Sequence, residues 1–364
     1  MTQSLASSHG RMQSLDTMRG VAVLMVITLH VSWHFRPVSW LFEAARLGNQ
    51  GVQLFFLISA ITMCFMWKQR ADEPQRQLKF YIRRFFRIAP LFWIAVCLYS
   101  PSWWLNGGHG TMETGDWADV ALTVTFLHGF SPSAINKLVT GGWSIAVEMS
   151  FYVVFPWLAA HLTSSVRAFA FAFVSYLVLG VIVTSLIERF VPLDPRFLYA
   201  CMLTQFPIFA IGMALYYVTM RPGPFAWRSI GAIAAAWLAF AVVGKYAFGL
   251  EARPVFWLQV ALLAAFVYLM IRRSWHLRVL SFIGNLSYSM YLFHFAVIDL
   301  LVRLIPSERR DGTAMYLCMF LLVVVVTSGV AKLSSLTFEA WSSAISRAII
   351  ARLRPRLAPG LSAA

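Results

Sequence analysis

The sequence predicts an all-α integral membrane protein with about ten transmembrane helices and both termini in the cytoplasm. Three observations carry that reading. The 364 residues are 59% hydrophobic and only 12% charged, where a soluble domain carries about 25%. Apolar segments recur along the whole chain, most of them near the ~20 residues needed to cross a hydrocarbon core. With the N-terminus inside, 20 of the 30 Lys and Arg residues fall on the inner side of those segments, as the positive-inside rule requires. The formal net charge of +15 is therefore topological, and nucleic acid is not an expected partner.

Residues 1–14 read as a short cytoplasmic tail, 15–340 as the polytopic membrane domain and 341–364 as a cytoplasmic C-terminal tail. The first span, about 20–40, follows Arg19 as a signal peptide would, but the bulky "VSWHFRP" offers no small-residue cleavage site. It is expected to stay as an uncleaved helix. Spans at about 52–67 and 86–101 flank a cytoplasmic segment with seven basic residues from Lys68 to Arg87. The Gly- and Trp-containing stretch 102–120 reads as an outward loop, and the short apolar piece 120–130 after it as re-entrant or interfacial. Further spans follow at about 143–162, 168–187, 198–219, 226–244, 254–271, 280–303 and 313–336. Cys64, Cys97, Cys201 and Cys318 sit in apolar runs without CxxC or metal spacing and read as small hydrophobes. No internal repeat is visible, which argues against transporter folds built from inverted repeats.

Ionisable groups at bilayer depth mark candidate sites. In "RGVAVLMVITLHVSWHF", Arg19 and His30 are eleven residues apart, so they share a helical face with ~16 Å of rise between them. Half a hydrocarbon core is ~15 Å, which puts Arg19 at the inner rim and His30 near the midplane. Such a helix grips an anion at the rim and offers acid–base chemistry at the centre. The alternative is a topological anchor and an interhelical hydrogen bonder. His34 follows His30 at a spacing metal ligands use, but no HExxH and no third ligand accompany them, so no metal is expected.

In "KFYIRRFFRIAP", Arg83, Arg84 and Arg87 cluster at the cytoplasmic start of a helix. Guanidinium groups there suit phosphate groups or anionic lipid heads. In "GGWSIAVEMSFYVVFPWL", Glu148 lies in an apolar run with Trp143, Ser144 and Tyr152 nearby. A carboxylate in that position needs a partner or a proton. In "IGNLSYSMYLFHF", Tyr288, Tyr291 and His294 recur every three residues on one side of a helix, as packing or as a site. Asp299 and Arg303, four apart, are expected to pair.

Together these stretches resemble the membrane acyltransferase-3 family of acyl-CoA acyltransferases. "SLDTMRGVAVLMVITLH" resembles its opening signature, with Arg19 and His30 on an Arg-x10-His pattern. "GNQGVQLFFLISA" resembles its second helix, and "YIRRFFRIAPLFW" its Arg-x-x-Arg third helix, which places Arg84 and Arg87 on that motif. "WSIAVEMSFYVVFP" and "GNLSYSMYLFH" resemble its fourth and late-helix signatures, and the motifs occur in family order from about 14 to 340. Three positions depart from the pattern: Gln53 stands where many members have an acid, and Ala60 and Thr17 replace glycines. The chain resembles the stand-alone form, without an appended esterase-like domain, associated with polysaccharide and lipo-oligosaccharide decoration.

The resemblance implies transfer of an acyl group, most often acetyl, from cytoplasmic acyl-CoA to a sugar hydroxyl at a bacterial inner membrane. Arg19, Arg83, Arg84 and Arg87 then hold the donor phosphates. His30 acts as general base or transient acyl carrier, and Glu148 orients the imidazole or binds the acceptor. Trp143, Ser144, Tyr152, Tyr288, Tyr291 and His294 are candidate substrate-binding residues. The expected partners are acyl-CoA, a glycan or lipid-linked sugar, and membrane lipid. The rival reading is a transporter of acidic small molecules in which His30 and Glu148 relay protons. Only the enzyme consumes acyl-CoA.

Overall fold

The computed structural model describes residues 2–105, 117–219 and 254–353, and among them the chain is helical with no strand. The first helix, α1 (Thr2–His34), is continuous from its start, so the expected N-terminal tail is part of the helix. It stops three residues before Pro37, short of the expected position 40, because a proline disfavours helical geometry in the residue ahead of it. A short amphipathic α2 (Ser39–Arg46) and one 3-10 turn lead into α3 (Gly51–Gln69). Next comes α4 (Arg76–Leu105), whose 30 residues make it ~45 Å long.

The apolar piece near 120–130 does not cross. It forms the eight-residue α5 (Trp117–Val124) and a 3-10 turn, with Phe126 between them at φ 64°. A rise of ~12 Å cannot span a bilayer. The piece instead folds back, with Phe126 against Phe92 and Asp119 paired to Lys137.

Then come α6 (Trp143–His161), α7 (Ser165–Ser175), a π-helical stretch at Tyr176–Val183 and α8 (Thr184–Phe190). After α9 (Pro195–Ala200) and α10 (Met202–Thr219), the description resumes with α11 (Pro254–Arg272), α12 (Arg278–Leu304), α13 (Thr313–Leu336) and α14 (Phe338–Arg352).

Eight of the described helical stretches are long and apolar enough to cross a membrane. The expected span at 86–101 lies within α4, which is not among the eight. The one expected at 226–244 lies outside the described residues. The boundary expected at 340 falls inside α14, which docks on α4 through Ser342 Oγ donating to the Phe86 carbonyl. Val153, Trp157, Leu262 and Val325 are exposed, as expected of side chains that face lipid tails as apolar as themselves. Asp299 and Arg303 form no ion pair with each other. Both are exposed to solvent, where little is gained by pairing.

The positioning element is α1, which lies between two apolar clusters. Leu15, Met18, Ala22 and Val26 pack toward α3, α4 and α6, whereas Val23, Ile27 and Val31 pack toward α12 and α13. Its crossing with α12 depends on two glycines. A Cβ at Gly20 would lie 2.1 Å from the Leu280 carbonyl oxygen, and one at Gly284 only 1.8 Å from that of Asp16. Backbones this close need small residues on both sides.

Candidate active site

Five helices from both ends of the chain enclose one cavity of about 210 Å³: α1, α3, α4, α6 and α12. Helical period decides which side chains reach it. On α6, Ser144, Glu148 and Tyr152 are four apart and form one stripe on its wall. On α12, Tyr288 and Tyr291 do the same, and on α4 Arg84, Arg87 and Ile88. Arg19 of α1 completes the cationic end.

Three of the four arginines expected to bind the donor already have carboxylate partners. Arg19 Nη1 donates to Asp16 Oδ1 at 2.6 Å, and its Nη2 to Thr62 Oγ1 at 2.7 Å. Arg87 Nη1 donates at 2.6 Å to Glu339 Oε2, whose other oxygen accepts from Ser289 Oγ at 2.5 Å. Arg83 does not line the cavity: its guanidinium forms a two-pronged pair with Glu73. Those bonds, with Lys79 behind them, hold the Glu73 carboxyl below the ordinary carboxylate range. Arg84 differs from the other three. Its guanidinium packs over the rings of Phe80 and Tyr152, 5.7 and 5.5 Å away, and its Nε is buried without a hydrogen-bond partner. Among the described residues it has no carboxylate partner.

Glu148 is fixed from two sides. Its Oε1 accepts from Ser59 Oγ at 2.6 Å and from Tyr152 Oη at 2.5 Å, and the residue lines the cavity. Tyr288 donates to the Ile88 carbonyl at 2.7 Å. At the opposite end Tyr291 donates to the Gly141 carbonyl at 2.9 Å and stands 2.8 Å from Ser144 Oγ. Gly141 has φ 76°, and a Cβ there would come within 3.0 Å of both Tyr291 Oη and Phe295. The turn at Gly141 and Tyr291 therefore close on each other at that end.

His30 and His294 lie beyond this closure and do not line the cavity. His294 is fully buried one turn past Tyr291, and its Nε2 stands 3.1 Å from His30 Nδ1. Phe295 and Trp33 pack on the His30 ring at 4.4 and 4.8 Å. The ring that meets His30 is thus His294, while Glu148 is held by Ser59 and Tyr152. Trp143, 100° around α6 from Ser144, faces Phe56 and Tyr199 instead of the cavity.

Sequence reasoning missed Ser59, Thr62 and Glu339. The first two were visible as polar residues three apart in the apolar "LISAIT". Glu339 gave no such signal, being an ordinary acid in a basic segment. Among the described residues no cluster of three or more metal-ligating side chains occurs. Arg19 at the cationic end of the cavity and His30 of the histidine pair stand roughly 16 Å apart along α1.

A family model described as an acyltransferase domain, the acyltransferase-3 model, matches residues 12–332. Among curated proteins, the chain is similar to the peptidoglycan O-acetyltransferase OatA of Listeria monocytogenes, 27% identical over 43% of this chain and 25% of that one. It is also similar to a Staphylococcus aureus protein named "Putative O-acetyltransferase", 24% identical over 79% of this chain and 51% of the relative. The chain thus spans about half, or less, of the length of these relatives. No solved structure matches.

Proposed function

The chain belongs to the acyltransferase-3 family, and from that premise we propose that it is a multi-pass membrane O-acyltransferase. It takes an acyl group, acetyl in the first instance, from cytoplasmic acyl-CoA and delivers it to a hydroxyl of an exported or surface sugar. The observation that supports this reading is the cavity itself. It is lined by Arg19, Arg84 and Arg87 and reaches Tyr291, one turn before His294.

The basic residues of 68–87 support a cytoplasmic rim, in keeping with both termini inside and an inner-membrane location. Arg84, whose charge has no carboxylate partner, meets the donor phosphates first, and bidentate guanidinium bonds suit them. The acyl-pantetheine arm then lies between α1, α6 and α12, past Glu148 and Tyr288. Opening of the Tyr291–Gly141 closure joins this arm to the histidine pair. His30 takes the proton of the attacking hydroxyl as the oxygen–acyl bond forms. The carbon–sulfur bond breaks, and the proton passes to the departing thiolate.

The test uses purified protein in lipid nanodiscs, with labelled acetyl-CoA as donor and a soluble oligosaccharide as acceptor. His30→Ala is expected to bind acetyl-CoA as the wild type does while releasing no CoA. Wild-type CoA release by His30→Ala removes His30 from the reaction. Absence of any acetyl-CoA binding by the wild type returns the chain to the transporter reading.

A further inference from the structure

The histidine pair carries more information than proximity. His294 Nδ1 lies 2.7 Å from the Tyr291 carbonyl of its own helix. A carbonyl only accepts, so that nitrogen bears a proton. A neutral imidazole has one N–H, and His294 Nε2 is then an acceptor. That acceptor faces His30 Nδ1 at 3.1 Å, so the His30 proton sits on Nδ1. The lone pair of His30 is left on Nε2, and the Val26 carbonyl one turn back on α1 also interacts with the ring.

We propose that His294 is a positioning residue: anchored by the Tyr291 carbonyl, it sets the tautomer of His30 and presents His30 Nε2 as the base. The inference rests on the reading of His30 as the reacting imidazole. It assigns His294, a candidate for substrate contact on sequence grounds, to a supporting role. The chain of bonds is backbone carbonyl, His294, His30. This is the arrangement by which a second group fixes the working tautomer of a catalytic or metal-binding histidine. Here the outer anchor is neutral. That suits bilayer depth, where a third ionised group is costly. Phe295 and Trp33 bracket the His30 ring and keep it from turning over.

The experiment reads the tautomer directly, by 15N NMR of the full chain labelled with 15N-histidine in lipid nanodiscs. The His30 signals are those lost in His30→Gln. The expected spectrum has a protonated Nδ1 and a bare Nε2 at His30. In His294→Phe the ring is expected to move to the Nε2–H form that a free imidazole prefers. CoA release from acetyl-CoA should then fall on the order of 10²–10⁴-fold in kcat, with donor KM unchanged. His294→Gln, whose side-chain oxygen again accepts from Nδ1–H, is expected to recover at least tenfold of that loss.

A protonated Nε2 at His30 in the wild type overturns the proposal, as does a His30 tautomer unmoved by His294→Phe. If His294→Phe does not assemble, the wild-type spectrum and His294→Gln decide. Undiminished CoA release in His30→Ala counts against the catalytic reading of His30, whereas the spectrum judges the role of His294.

Discussion

Replacing Arg84 by alanine is expected to weaken donor binding more than replacing any other arginine at the rim. Arg19, Arg83 and Arg87 each face a carboxylate, of Asp16, Glu73 and Glu339 respectively. A phosphate arriving at Arg19 or Arg87 therefore exchanges one anion for another. Arg84 has no such partner and a buried Nε still lacking a bond. A charge-assisted hydrogen bond is worth about 1.5–3 kcal/mol, so Arg84→Ala should raise the dissociation constant for acetyl-CoA about 10- to 150-fold. Arg87 is 44% exposed, where ion pairs contribute about 0.2–1 kcal/mol. Arg87→Ala should therefore cost less than about 5-fold. Lysine at 84 keeps the charge but loses the planar fork, so it should recover only part of the loss. Equilibrium binding of labelled acetyl-CoA in nanodiscs, with thermal unfolding as a check on folding, measures all three. Arg84→Ala within about twofold of wild type, or Arg87→Ala losing as much as Arg84→Ala, would refute the assignment of Arg84 as the open cation.

Glu339→Gln releases Arg87 from its internal anion, and acetyl-CoA should bind about 2- to 5-fold more tightly in the same assay. Gly284→Ala places a methyl 1.8 Å from the Asp16 carbonyl and should cost at least the ~1–3 kcal/mol of overpacking. Gly329→Ala on exposed α13, with nothing within 4 Å, should gain up to about 1 kcal/mol from helix propensity; detergent-resistant thermal unfolding separates the two. Arg83 lowers the Glu73 pKa, so the stability this pair contributes is fully present above the ordinary carboxylate pKa and is lost as pH falls through the depressed value. The stability difference between wild type and Glu73→Gln should thus be flat from neutral to mildly acidic pH and be lost below the ordinary carboxylate pKa. A difference that fades between pH 8 and 6 would contradict it.

How far the site was legible depended on the direction of each signal. Arg19, Arg84, Arg87, Glu148 and Tyr288 stood out because each interrupts or borders an apolar run, where a polar group costs too much to be incidental. Helical period then puts Ser144, Glu148 and Tyr152 on one wall, and that stripe is readable from spacing alone. The same period turns Trp143 and Arg83 aside, one residue from wall positions. Contacts across long separations were not legible. Glu339 meets Arg87 from 252 positions away, and His294 meets His30 from 264. No local pattern encodes such pairings, because tertiary packing of α14 on α4 and of α12 on α1 creates them. The all-helical membrane class was readable from hydropathy, but the docking of α14 on α4 was not. The five basic residues from Lys332 to Arg356 disguise a helix that docks through small residues such as Ser342.

The joining of α1 to α12 has a consequence for the newborn chain. The two histidines lie 264 positions apart, so at ~5–20 residues per second roughly 13–50 s of synthesis separate the first ring from the second. Arg19 does not wait, since Asp16 precedes it and Thr62 follows within seconds at that pace. The imidazole of His30 does. Until α12 is laid against Gly20, the first helix holds a polar ring without its mate in a solvent that offers none. No nascent chain that ends before His294 contains both rings, and none that ends before Tyr288 has any of the far wall supplied by Tyr288 and Tyr291. A chain grown only as far as α11 therefore carries Arg19, Arg84 and Arg87 while lacking the histidine pair. On the proposed function, an acyl donor meets no complete site until α12 enters the membrane.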